Sequence, residues 1–165
     1  MIDQAEWTKH SNWKVAIGTF IVSSAECELW ISVLMSDLLP PGVVDAMNYL
    51  QIDRKSKIVQ AALIEVDMGM TEAQVNHIFK RFAKLASFRN LIAHKPPMIA
   101  IYEMGNKDGD QNLRSVVELV SRRDPNKRTT VAEINERIGD VMKVGIDMIE
   151  IRRQLLLKKL LLNRN

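Results

Sequence analysis

The chain has 165 residues, 47% hydrophobic and 26% charged, with a net charge of +3. One domain with one core fits that length and composition, which excludes a chain disordered throughout. A single cysteine, Cys27, excludes an internal disulfide and fits a reducing compartment.

The opening MIDQAEWTKHSNWK lacks the basic-then-apolar order of a signal peptide, and no run reaches the ~18 uninterrupted apolar residues that span a bilayer. A cytoplasmic protein without membrane contact is expected. His10, His77 and His94 lie far apart and no Cys-x-x-Cys accompanies them, so no metal site and no cofactor is implied.

The first helix is expected over residues 13–39, stopped by Pro40-Pro41-Gly42. It carries two apolar stripes. Trp13, Ile17, Phe20, Ile31, Leu34 and Leu38 form one; Val15, Val22, Leu29, Trp30 and Val33 form the other, with Glu26 inside it. A less regular second helix covers 43–68, broken near 51–53. The third opens on a capping box, Thr71-Glu72-Ala73-Gln74, and runs to His94 before Pro96-Pro97.

Two β-prone runs then flank the turn-rich Gly105-Asn106-Lys107-Asp108-Gly109-Asp110, which predicts a hairpin over about 98–120. A second capping box, Thr130-Val131-Ala132-Glu133, opens the last long helix, expected to end near 162. Its leucine-rich end is read as docking on the bundle or on another subunit rather than as a membrane anchor. The fold expected is all-α: a four-to-five-helix up-down bundle with a β-hairpin inserted before the last helix, one domain over 1–165.

On a helical wheel of the third helix, Val75, Ile78, Phe79, Phe82, Ala86 and Ala93 form the core stripe, and Arg89 falls in its middle. A guanidinium aimed at an apolar face snorkels to the rim, pairs with a buried carboxylate, or lines a polar cleft. Asn90 sits at the edge of the stripe, and His94 follows one turn later, where a helix C-cap role alone would account for it. Phe88 and Leu91 lie opposite the core stripe. Two-sided apolarity in the first and third helices suggests either a two-fold subunit interface or helices buried centrally within one chain.

The segment Arg89-Asn90-Leu91-Ile92-Ala93-His94 reads R-N-x-x-A-H. In this motif and its place late in the third major helix, before a loop and a long final helix, the chain resembles the HEPN superfamily (higher eukaryotes and prokaryotes nucleotide-binding). The resemblance implies a metal-independent endoribonuclease that works as a homodimer, here through the first and third helices, with motifs from two subunits meeting in one cleft. It implies catalysis by Arg89, His94 and Asn90. His94 would act as base on the RNA 2′-hydroxyl or as acid on the leaving oxygen. Arg89 would hold the phosphate, and Asn90 would position it or orient the histidine.

Glu26 is the residue expected to hold Arg89. Basic residues cluster at 54–57, 80–84, 122–128 and 152–159. RNA contacts are expected at Lys95, Arg122, Arg123, Lys127 and Arg128. A toxin or phage-defence component, with an antitoxin protein as a candidate partner, is one implied setting. A catalytically inactive module that binds RNA or a partner protein is the alternative.

Overall fold

The computed structural model describes residues 4–66, 68–93, 98–105, 111–120 and 128–162, with side chains described over 12–66, 68–93 and 129–162. The described body is helical, with five helices: α1 (Gln4–Leu38), α2 (Pro41–Met47), α3 (Ile52–Glu65), α4 (Glu72–Ala93) and α5 (Val131–Leu162). Between α4 and α5 the backbone pairs β1 (Met98–Gly105), β2 (Gln111–Val120) and β3 (Arg128–Thr129) antiparallel, in that order, with Met98 opposite Glu118 and Leu119 opposite Thr129.

Local chemistry sets the helix boundaries. Pro40, in extended backbone, precedes α2, and Pro41 occupies its first turn, where a missing N–H costs nothing. The break expected near 51–53 falls between α2 and α3, where Gln51 is extended with no side-chain cap. Gly69, at φ +77°, takes the left-handed turn that delivers the chain to α4. There the capping box closes both ways: Thr71 N–H donates to Gln74 Oε1 (2.8 Å), and Gln74 N–H donates to Thr71 Oγ1 (3.3 Å). At α5, Glu133 N–H donates to Thr130 Oγ1 (3.1 Å).

Among the helices, α1 and α5 share the most extensive contact, and they run parallel. The Cys27 thiol donates to Val141 O (3.4 Å), and ten residues further along α1 and eleven along α5 Arg152 Nε donates to Asp37 (2.8 Å), so the contacts climb both helices together. Lys159 closes the end of the pair by donating to Asp37 O. α4 runs the other way against α5, with Arg81 on Asp147 and Phe88 beside Arg137. α3 and α4 are antiparallel, bridged by Gln60 Nε2 donating to Asn76 Oδ1 (2.6 Å).

The core lies where these helices meet. Phe20, Ile31, Leu34 and Met35 enter it from α1, Val59 and Leu63 from α3, Val75, Phe79 and Phe82 from α4. α5 contributes Ile134, Val141, Val144, Met148, Ile151 and Leu155, whose alternating steps of three and four after Val141 keep one face inward. Of the stripe expected on α4, Ala93, the last residue of the helix, is exposed, while Leu85 and Ile92 are buried.

α1 also bears on membranes. The expectation that no segment reaches across a bilayer rested on uninterrupted runs. Over a window that tolerates an occasional charge, Asn12–Leu38 is long and apolar enough to cross one, by length and composition alone. Its inner face here is protein core.

Candidate functional site

Arg89 lies just before the last turn of α4, pointing toward α1. Its Nη2 donates to both carboxylate oxygens of Glu28, at 2.6 and 2.9 Å, and its Nη1 donates to Asn90 Oδ1 at 3.0 Å. The side chains of Arg89 and Glu28 are 30% and 22% exposed, so the pair lies at the rim of the core rather than within it. The guanidinium aimed at the apolar stripe is thus accounted for by a carboxylate on the facing helix.

Glu26 does not hold Arg89. Two steps along an α-helix turn the side chain by about 200°, so Glu26 and Glu28 leave α1 on opposite sides. Glu28 faces α4, while Glu26 lines the groove between α1 and α5. The signal for the correct carboxylate was its direction: Glu28 lies beside the stripe that holds Phe20 and Ile31, and Glu26 lies in the outer stripe.

The neighbouring Phe88 fixes this turn of α4. Its ring meets Phe20 edge-to-face, centroids 5.3 Å apart, and the Arg137 guanidinium lies 5.5 Å from its centroid. The second apolar face of α4 is therefore covered at Phe88 by its own chain. That of α1 is open: Val15, Val22 and Leu29 are exposed, and Met142, Ile146 and Ile149 of α5 lie exposed as well. Between the two helices runs a groove of about 350 Å³ lined by Glu26, Cys27, Trp30, Met142, Ile146 and Ile149 among others. Burial, reinforced by the Glu26 and Glu28 carboxylates, pushes the Cys27 thiol up to about 11, which keeps it protonated and poorly nucleophilic.

Two polar clefts flank the exposed ridge of α4 and share Ser87. One, between α3 and α4, includes Lys57, Lys80 and Asn90. The other, between α4 and α5, includes Lys84, Phe88, Leu91 and Arg137. Among the described residues Lys57, Lys80 and Lys84 have no ion-pair partner, whereas Arg81 and Arg152 each have one and Arg137 has two.

Of the expected catalytic residues, Arg89 and Asn90 are therefore adjacent and hydrogen-bonded. His94 lies outside the described residues, as do Lys95, Arg122, Arg123 and Lys127; Arg128 is described only in its backbone, in β3. Arg89 carries five N–H donors. With Nη2 on Glu28 and one Nη1 hydrogen on Asn90, its Nε–H and a second Nη1 hydrogen have no partner among the described residues. That arrangement suits an oxyanion approaching a guanidinium already held in place. The chain matches no protein-family model, no curated protein and no solved structure.

Proposed function

We propose that this chain is a HEPN-type endoribonuclease that acts as a homodimer in the cytoplasm and cleaves RNA without a metal ion. The observation that carries the reading is the arrangement of the R-N-x-x-A-H segment: Arg89 oriented by Glu28 and Asn90 near the C-terminal end of α4, five positions before His94. In this mechanism Arg89 binds a non-bridging phosphate oxygen. The 2′-hydroxyl attacks phosphorus and the 5′-oxygen departs. His94 accepts the proton from the former or supplies one to the latter. Glu28 positions Arg89 and does not touch RNA.

In this proposal the segment between α4 and α5 is a hairpin inserted into the bundle, and Lys95, Arg122, Arg123, Lys127 and Arg128 meet the RNA backbone. The dimer, expected through the first and third helices (α1 and α4), is proposed instead through the outer stripe of α1 continued by the exposed apolar side chains of α5, because Phe88 on α4 is covered by its own chain. Leu29 and Ile146, 62% and 65% exposed, stand on its two ridges. A toxin or phage-defence setting, with an antitoxin protein as partner, fits such an activity.

A second reading, a non-catalytic module that binds RNA or a partner protein, is favoured by one feature: the charge of Arg89 is already offset by Glu28. Arg89→Ala and His94→Ala separate the two. Under the enzymatic reading each abolishes cleavage while helicity and dimer mass stay unchanged. Under the other, no cleavage is there to lose.

A further inference from the structure

Two basic clusters that are separate in the sequence, 54–57 and 80–84, come together in the fold. Lys57 on α3 and Lys80 on α4 line the same cleft, of about 480 Å³, with Gln60, Asn76, Ser87 and Asn90. The α4 wall is a continuous stripe, since Asn76, Lys80, Ser87 and Asn90 recur at helical spacing over about 21 Å at 1.5 Å per residue. Its last residue, Asn90, is the one hydrogen-bonded to Arg89. The cleft therefore ends at the residue that accepts a hydrogen bond from the guanidinium.

We propose that this cleft binds one or two nucleotides of single-stranded RNA flanking the phosphate held at Arg89. The inference rests on the ribonuclease reading and adds a substrate track to it. Among the described residues Lys57 and Lys80 have no ion-pair partner and Asp53 is the one carboxylate lining the cleft, so the lysines are available to phosphates. Ser87 Oγ, Gln60 Oε1 and Asn90 Nδ2 offer groups to base edges and 2′-hydroxyls, while Gln60 Nε2 and Asn76 hold the α3–α4 wall by hydrogen-bonding each other and Glu72. The aromatic lining residue, Phe79, is buried at 3% exposure, so bases are met by hydrogen bonding rather than by stacking. The volume falls in the range of small-ligand clefts, about 300–1,000 Å³, which limits the occupant to a short stretch.

The test is binding of a fluorescent single-stranded oligoribonucleotide pool to the full chain in EDTA at stepped salt, alongside the cleavage assay. The double variant Lys57→Gln/Lys80→Gln is compared with Lys14→Gln/Lys143→Gln, which removes the same charge from exposed positions on α1 and α5. The cleft pair is expected to weaken binding about tenfold near 0.1 M salt and to reduce the salt slope by about 1.4, two phosphates at ~0.7 each. The control pair should change neither.

Equal losses from both doubles, or displacement of RNA by polyglutamate at matched charge, would overturn the proposal. So would wild-type cleavage with binding unchanged in Lys57→Gln/Lys80→Gln, a result that leaves the ribonuclease standing. A wild type that neither binds nor cleaves any RNA removes the ribonuclease reading and this inference together.

Discussion

Glu28 receives both Arg89 Nη2 contacts across the α1–α4 interface, at 2.6 and 2.9 Å, and so ties the C-terminal end of α4 to the C-terminal half of α1. Because the pair is about a quarter exposed, its worth to stability is closer to that of a surface pair, about 1 kcal/mol, than to that of a buried one. Its larger effect is on geometry. Glu28→Gln keeps one acceptor and should leave most cleavage intact, whereas Glu28→Ala frees the guanidinium and should lower cleavage about tenfold with little loss of melting temperature. A double-mutant cycle of Glu28→Ala with Arg89→Ala should return a stability coupling near 1 kcal/mol. A coupling near zero would mean the two side chains do not meet in solution.

Phe20 has no exposed surface and carries the ring of Phe88 on its edge. Phe20→Ala should therefore destabilise the fold by about 3–5 kcal/mol in denaturant unfolding, and Phe88→Leu by distinctly less because Phe88 is only partly buried. Reversal of that order would contradict the packing around the site.

Cys27 makes two predictions. Buried and protonated, it should resist alkylation at neutral pH until the chain unfolds. Its thiol ionises near the ordinary 9.0 when unfolded and near 11 when folded, so above about pH 9 the unfolded chain releases a proton that the folded chain keeps. The contribution is present below pH 9 and is lost as the pH rises toward 11. Denaturant unfolding of wild type and Cys27→Ala at about pH 8 and about pH 10.5 isolates it, because the stability difference between them should shift against the wild type at the higher pH. A difference independent of pH would contradict the burial of the thiol.

The open apolar face of α1 and α5 predicts a dimer that a single charge dissociates. Ile146→Asp should halve the mass seen by light scattering without loss of helicity, since Ile146 contributes nothing to the core. A wild type that is monomeric, or that partitions into lipid vesicles through this face, would contradict the assignment.

The helices were legible in the sequence because their boundaries are chemical. Pro40-Pro41 ends one helix, and Thr71 with Gln74, then Thr130 with Glu133, open two others by side-chain hydrogen bonds that operate within four residues. Arg89 was legible as an anomaly, a cation on an apolar stripe. Its partner was not, because choosing Glu28 over Glu26 requires knowing which side of α1 faces α4. For the same reason, periodicity marked α1 and α4 as apolar on both faces but did not indicate that Phe88 is covered within its own chain while Leu29 is exposed. The cleft of Lys57 and Lys80 depends on the α3–α4 pairing, a long-range relationship that neither segment encodes alone.

The most direct test of the central claim is incubation of the purified chain with a mixed single-stranded RNA pool in excess EDTA, beside His94→Ala and Arg89→Ala. The ribonuclease reading predicts cleavage by the wild type alone, at least about a hundredfold above either variant, with products ending in 2′,3′-cyclic phosphate. Absence of cleavage across the pool, or equal cleavage by all three proteins, would contradict it.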